Sequence, residues 1–446
     1  MTGVSVGGIR GILSAVHAGG YGGRPARAQD PSGLIDRLLP IAQILLSLCS
    51  IGLAVYWSIV LFHVLRTMRR IPTAAAGVGL AELRALPGEQ WPRVCVVVPA
   101  HNEQETIGAV AKALRAAEYP NLDVVFSLDR CTDNTAPVLR TALDGDPRFR
   151  IIEVEHCPPD WAGKVHAIWR GVQDTDALRT ADILLFIDAD TQPAPGCVTA
   201  CVGLMRARSL GMLSLLSTLT HDEWFEKVVQ TCAGMELARQ YPIERANALK
   251  HRRAFANGQF LMLTREAYNR IGGHEAVRQA LLEDMDIARR CERLGVPAGL
   301  FLADGMHTCR MYESWEQFVR GWKRIYTECA NRRVNRLRKT ARRTRLVGAV
   351  LPLAAAGAVG AGLPTGLALG DAPASASLIF GTIGLGAWLL ALGVCHHLAR
   401  APVWTAILHP VAAWLTGGIL HGAADDLVKK RPTVWGGREY AREARE

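Results

Sequence analysis

The chain has 446 residues, 49% hydrophobic and 21% charged, with a formal net charge of +10. That composition excludes a disordered segment, a collagen-like repeat and a small disulfide scaffold. A mean hydropathy of +0.11 beside an ordinary charged fraction implies membrane spans around a globular part, and the basic excess suggests an anionic partner such as a membrane surface, nucleic acid or a phosphorylated substrate. The eleven cysteines are scattered and form no CxxC pair, which favours a reduced cytosolic domain over a disulfide or zinc framework.

In chain order, residues 1–37 are Gly-rich, weakly hydrophobic and lack the compact apolar run of a cleaved signal, so they read as a flexible leader. Residues 38–65 contain no Asp, Glu, Lys or Arg and exceed the roughly 20 residues that a membrane helix needs. A globular domain is expected over 88–312. Its first strand is Val94 to Val98, an unbroken β-branched run suited to burial on both faces. Asn102 with Glu105 predicts a helix start, and the helix should run to about Glu118 before Tyr119-Pro120. Further strands are expected at Leu122 to Leu128, Ile151 to Val154 and Ile183 to Ile187. This βαβ series implies a mostly parallel, doubly wound sheet whose ligands bind beyond the carboxyl ends of its strands. Polar clusters fall there: His101-Asn102-Glu103, then Asp129, then Asp188-Ala189-Asp190. GxGxxG is missing after the first strand and GxxxxGK[ST] throughout, which removes the phosphate cradle of a Rossmann dehydrogenase or a P-loop NTPase. Acidic strand ends suggest instead Mg2+ or Mn2+ bridging a diphosphate.

Residues 313–345 predict an amphipathic basic helix, with Trp315, Phe318, Val319, Trp322, Ile325, Tyr326 and Cys329 on one face and Arg320, Lys323 and Arg324 interleaved. Such a helix suits an anionic membrane surface or packing on the globular domain, and the membrane explains the charge better than nucleic acid does. A second amphipathic stretch, Trp224 to Tyr241, is placed to shape a lipid entrance. The region 346–424 holds three more charge-free stretches, Leu346 to Gly370, Ala372 to Ala399 and Ala401 to Ala424. Pro402, His409, Pro410 and His421 mark the last as broken or re-entrant, so two or three spans are expected. Eight basic residues from Arg332 to Arg345, against Asp371 alone between the second and third spans, place the central domain in the cytoplasm of an inner-membrane, multi-pass protein. The basic tail, 425–446, also reads as cytoplasmic; three full C-terminal spans would put it outside, and a re-entrant last segment removes that conflict.

The motifs resemble those of the family 2 glycosyltransferases. Val97-Val98-Pro99-Ala100-His101-Asn102-Glu103 is similar to their opening motif, and Asp129-Arg130-Cys131-Thr132-Asp133-Asn134-Thr135 to their nucleotide-recognition turn, with Leu128 in place of a first Asp. Asp188-Ala189-Asp190 resembles DxD, and Glu283-Asp284 the ED pair. Trp161-Ala162-Gly163-Lys164, Ala254-Phe255-Ala256-Asn257-Gly258-Gln259-Phe260, Gly272-Gly273-His274-Glu275 and the tail Trp435-Gly436-Gly437-Arg438-Glu439-Tyr440 look most like hopene-associated and carotenoid-type members. The resemblance implies an α/β fold: a GT-A, Rossmann-like, mostly parallel sheet domain flanked by transmembrane helices. It implies an inverting enzyme that moves sugar from a UDP-sugar to a membrane lipid. Asp284 would be the catalytic base, and Asp188, Asp190 and Gln192 would hold a divalent metal, Mg2+ or Mn2+. Ala100, Glu103, Asp129, Lys164, Asp188, Glu283, Arg320 and Trp322 would contact substrate. Asp133 reads as a helix cap and His307 as structural.

Two rival readings are a processive polysaccharide synthase and a non-catalytic scaffold. Processive members carry QxxRW, whereas this chain has Gln317-Phe318-Val319-Arg320-Gly321-Trp322. The interposed glycine turns the indole by about 100° on a helix, which predicts that it leaves the acceptor site and that one sugar is added per acceptor. Intact acidic motifs argue against a scaffold.

Overall fold

The computed structural model describes residues 31–84, 91–248, 252–367, 371–435, 438–440 and 442–445. Residues 1–30 of the expected leader, 88–90 of the expected domain and Gly436-Gly437 of the tail motif lie outside the described residues. The chain forms two compact units, 1–42 and 43–446. The described part of the first is the start of the helix Pro31–Arg70, so the last residues assigned to the leader are helical; proline is tolerated there because first-turn amides have no intrahelical acceptor.

In the second unit the strands of the central domain are β1 (Val94–Ala100), β2 (Leu122–Asp129), β3 (Phe149–Val154), β4 (Ile183–Ile187), β5 (Thr191–Pro193), β6 (Met212–Leu216), β7 (Thr218–Leu219), β8 (Phe260–Thr264), β9 (Ala298–Leu302) and β10 (His307–Cys309), and Thr433–Trp435 and Arg438–Tyr440 pair in the tail. Seven form one sheet in the order β3-β2-β1-β4-β8-β6-β9. All its neighbours pair parallel except β8, which is antiparallel to both β4 and β6. β5, β10 and β7 make a small second sheet.

Side chains alternate across a strand, and both faces of this sheet are covered. Val94, Val96 and Val98 pack with Ile107, Val110, Leu114 and Leu139 on one face. Cys95 and Val97 pack with Val165, Ile168 and Val172 on the other. Burial on both faces is why β1 is continuously apolar. The expected strands thus form, each within two residues of its predicted start and end. The helix expected from Asn102 does not. It spans Ile107–Arg115, because Asn102 adopts φ +57° and its Oδ1 accepts from the Thr132 amide at 2.8 Å. The side chain that suggested a cap ties two strand-end loops together instead. Asp133 is not the N-cap residue, which is Asn134, but its Oδ1 accepts from the first helical amide, that of Thr135, at 3.0 Å.

Four helices among the described residues are long and apolar enough to cross a membrane: Arg37–Leu80, Val334–Pro364, Ala372–Leu398 and Val403–Val428. The first presents Ile44, Leu48, Ile51, Val55, Ile59 and Phe62 outward. The amphipathic helix is Trp315–Cys329. Its apolar face is not left for lipid: Phe318, Trp322 and Tyr326 are buried with Phe225, Val229, Ile419 and Leu420.

Gly171 sits where the helix Gly163–Gln173 crosses β1, and a Cβ there would lie 2.7 Å from Val97 Cγ1. Gly171→Ala therefore overpacks the core and is expected to destabilise the domain by about 1–3 kcal/mol. Thermal unfolding of the purified protein checks this, and an unchanged midpoint would show that the layer yields freely.

Candidate functional site

The carboxyl ends of β1, β2 and β4 converge on one cavity of about 1240 Å³. Ala100, Glu103, Asp129, Asp188 and Asp190 line it, as strand-end residues of a parallel sheet do. Lys164, on the first turn of the helix Gly163–Gln173, and Glu283 with Asp284, at the start of the helix Glu283–Arg293, line it as well.

At its centre Lys164 Nζ lies 2.7 Å from Asp188 Oδ1 and 2.8 Å from Glu283 Oε1. Burial opposes the ammonium charge, but the two carboxylates outweigh it and hold Lys164 above its ordinary pKa. Glu283 is pushed up by burial and pulled down more strongly by Lys164, so it stays below its usual value. Asp190 has no such partner. Burial and then the Asp188 charge push it up to about 8, and its buried Oδ1 has no hydrogen-bond partner. Burial also raises Asp188, against the pull of Lys164, and Glu103.

Asp284 is held from two sides. Its Oδ2 accepts from the Gly258 amide at 2.7 Å and its Oδ1 from the Met285 amide at 2.7 Å. Both bonds favour the carboxylate, yet burial and then the neighbouring Glu283 charge dominate and raise it to about 7. A base poised near neutrality in a walled site is what proton abstraction from a hydroxyl requires. At the nucleotide-turn position, Asp129 is bound bidentately by Arg130, with Nε to Oδ1 2.9 Å and Nη2 to Oδ2 2.6 Å.

Two expected site residues are not brought here. Gln192 lies on β5, opposite Thr308 of β10, with its side chain exposed and outside the cavity. The chain turns into the small sheet immediately after Asp190, where the side chains of Thr191 and Pro193 are buried and that of Gln192 is exposed. Arg320 is exposed on the outer side of the helix Trp315–Cys329 and also outside the cavity. Trp322 is the reverse of what the glycine insertion suggested: it lines the cavity, with its buried Nε1 lacking a hydrogen-bond partner. The insertion thus removes the arginine, not the indole, and Arg324 of the same helix lines the cavity instead. His307 is buried beside Ser217 with Nδ1 3.0 Å from its hydroxyl, and burial depresses it to about 3.

Sequence reasoning missed several lining residues. Gly321 leaves room for Tyr312, whose hydroxyl occupies the space a Cβ would fill. Tyr440 of the tail also lines the cavity. Gly258 lies so near the charged centre that a Cβ would be 3.1 Å from Glu283 Oε1 and 3.2 Å from both Asp284 Oδ2 and Lys164 Nζ. Three-residue spacing from Gly321 to Arg324 on one helix was the available signal for the arginine.

Away from the acidic end, the same cavity is lined by Tyr56, Trp57, Val60 and Val64 of the first long helix, by Val347 and Gly348, and by Leu398 and His409. Leu237 and Met235, within the stretch Trp224 to Tyr241, line its flank.

The model of the family described as glycosyltransferase like family 2 matches residues 92–329, more than half of the chain, and the chain belongs to that family. It is an enzyme of the GT-A fold, as membership and the sheet together establish. The chain is 21% identical over 238 residues to the 4,4'-diaponeurosporenoate glycosyltransferase of Staphylococcus haemolyticus, 53% of this chain and 61% of that one. It is 23% identical over 228 residues to the beta-monoglucosyldiacylglycerol synthase of a Synechocystis strain, 51% of this chain and 45% of that one. The chain thus spans about half the length of these curated relatives. Among solved structures it is similar to a mannosyltransferase from Pyrobaculum calidifontis in complex with GDP-Man and Mn2+, at 18% identity and a TM-score of 0.42, covering 86% of this chain and 98% of that one.

Gly258→Ala is expected to cut glycosyl transfer by about tenfold or more, because displacing reacting groups by a fraction of an ångström is costly. The folded fraction should be preserved. Wild-type turnover in the variant would show that Glu283, Asp284 and Lys164 move apart without consequence.

Proposed function

We propose that the protein transfers a sugar from a UDP-sugar to a hydroxyl of a membrane lipid at the cytoplasmic leaflet, with inversion at the anomeric carbon. The observation that carries this is the single cavity with a charged end at the sheet and an apolar end between helices long enough to cross a membrane. A lipid entering sideways keeps its chains against Trp57, Val60 and Val347 while its head group reaches Asp284. Two relatives are named for a carotenoid acid and a diacylglycerol, which supports a lipophilic acceptor.

Asp129 and Glu103 would hold the nucleoside, and Lys164 the diphosphate or the sugar. Asp188 and Asp190 would hold a divalent cation. The fit rests on the buried, unpartnered Asp190 Oδ1 and on an excess of carboxylates over the single Lys164. Among the described residues no three His, Cys, Asp or Glu converge as a complete metal site, so remaining ligands would come from diphosphate and water, as suits Mg2+ or Mn2+. Bound there, the cation supplies Lewis-acid neutralisation of the leaving diphosphate. Asp284 takes the acceptor hydroxyl proton. The hydroxyl oxygen then bonds to the anomeric carbon as the carbon–oxygen bond to diphosphate breaks, and the electron pair leaves with diphosphate.

The direct test is to express the chain in membranes, supply a panel of labelled nucleotide sugars and weigh the extracted lipids. A mass increase of one hexose or one N-acetylhexosamine supports the proposal. A ladder of longer products would establish the processive reading, and no transfer from any donor would return the scaffold reading.

Asp284→Asn keeps shape and loses the proton acceptor. Transfer should fall roughly 10²- to 10⁴-fold with UDP-sugar affinity nearly intact. The raised value gives the pH sign: Asp284 is protonated and inactive below, so kcat/KM should rise through about pH 7 and then level off. A flat profile from pH 5 to 8 would remove Asp284 from this role.

Chelation with EDTA should stop transfer, and Mn2+ or Mg2+ should restore it. Asp190→Ala should weaken UDP binding chiefly when metal is present. Full activity in EDTA would mean that Lys164 alone neutralises the diphosphate.

A further inference from the structure

The last apolar helix is long enough to cross a membrane, yet one of its ends is fastened to the sheet domain and the other to the basic helices that directly follow that domain. Just before it, Arg400 donates to Asp304 Oδ1 at 3.1 Å, and the Ala399 carbonyl lies 3.2 Å from His221 Nε2; Asp304 and His221 belong to loops of the sheet domain. At its other end, Asp426 Oδ2 accepts from Lys323 Nζ at 2.8 Å and Asp425 pairs with Arg338 at 3.4 Å. Beyond it the tail returns Tyr440 to the cavity and sets Arg442 Nε 3.4 Å from Glu328. A segment that leaves and rejoins one side has not crossed.

Its depth follows from its neighbours. A Cβ on Gly348 would lie 2.5 Å from Ala413 Cβ and 3.2 Å from His409 Nε2, so the start of the helix His409–Val428 is level with Gly348. Gly348 is only about 15 Å of helix from Arg338, half the roughly 30 Å hydrocarbon thickness, and stands three residues past the last arginine of the basic run, Arg345. Arg345 itself stacks on the Trp414 ring at 4.6 Å. The outward face at this level is apolar: Val403, Trp404, Ile407, Val411 and Trp414 are exposed, Trp404 at 67% and Ile407 at 66%. Tryptophan beside arginine is the composition of a membrane–water interface.

We propose that residues 402–428 form a re-entrant segment that never crosses the bilayer. Its face from Val403 to Trp414 is embedded in the leaflet on the catalytic-domain side, and its second half rests on the helices Trp315–Cys329 and Val334–Arg345. The occupant of that face is lipid, because it continues the exposed apolar surfaces of the three crossing helices and because the polar half is already paired within the protein. The segment forms one wall of the cavity through His409, and so seats the mouth of the cavity at lipid depth. This does not depend on which sugar or acceptor the enzyme uses.

Sidedness is read by single cysteines, introduced as Lys339→Cys, Asp371→Cys and Lys429→Cys on a cysteine-free chain in sealed vesicles of both orientations. An impermeant maleimide is expected to label positions 339 and 429 from one face and 371 from the other. Labelling of 429 from the face of 371 would establish a full crossing and overturn the proposal. Should the cysteine-free chain fail to assemble, an epitope after Glu446 of the unaltered chain gives the same answer by protease protection. Depth is read from a spin label on Ile407→Cys. High accessibility to oxygen and low accessibility to a polar nickel chelate, at a depth near the head groups, is the expected result. A mid-bilayer depth, or a fully aqueous profile, overturns the embedded face.

Discussion

The site is organised around one half-buried cation among carboxylates. Lys164 bridges Asp188 at the end of β4 and Glu283 at the head of a helix more than a hundred residues later. Without it, Asp188 and Glu283 would face each other unneutralised, and removing one partner of such a pair leaves the other charge uncompensated. With it, the charge of the site divides into two classes. Glu283 is held below its usual value by the cation, whereas burial raises Asp190, Asp284 and, against the pull of Lys164, Asp188. Two of the raised groups are left to act on something that arrives: Asp190 with a lone unsatisfied oxygen, Asp284 with an affinity for a proton near neutrality.

Small residues keep this arrangement tight. Gly163 admits the Asp129–Arg130 pair, since a Cβ would be 3.0 Å from Arg130 Nη2 and 3.2 Å from Asp129 Oδ2. Gly258 admits Glu283, Asp284 and Lys164 together while donating its amide to Asp284. A side chain at either position would separate charges whose effect on each other falls with distance. The glycines are therefore part of the electrostatics as well as of the packing, and they link the loop before β8 to the titration of a helix-start aspartate.

The sheet was legible because its cause is local. Strands buried on both faces must be continuously apolar, and Val94–Ala100 and Ile183–Ile187 announce themselves that way. The strand-end acids were legible for the same reason, since a polar residue directly after such a run can only lie at the sheet's edge. Asn102 misled because a capping side chain and a loop-tying side chain look alike until the partner strand, thirty residues away, is in place. Gln192 misled because spacing after Asp190 says nothing of the turn into β5. Arg320 and Trp322 misled because the inserted glycine was weighed as a rotation of the helix, whereas its room is taken by the Tyr312 hydroxyl. Tyr440 was quoted only as a tail motif; its place in the cavity depends on a chain reversal that no local pattern encodes.

On the re-entrant proposal, the same separation of local and distant causes makes hydropathy alone overcount crossings. The last helix has the apolar length of a span, but its aspartates at 425 and 426 meet Arg338 and Lys323, and its glycines at 417 and 422 sit so close to Arg345 and Lys323 that a Cβ would come within 2.7 and 2.8 Å of their side chains. Glycine at such contacts lets a charged, snorkelling side chain lie flat against the helix backbone. That geometry belongs to the polar boundary of a membrane, where long basic side chains have both an apolar surface to lie on and water for their ends. A helix built so would be apolar because protein covers one face and, on the re-entrant proposal, lipid the other. Half of its most apolar window is enclosed by the chain itself, against 22% for the first long helix. Apolar length reports that a segment avoids water; it takes the charge pairs at its two ends to say which side of the bilayer each one faces.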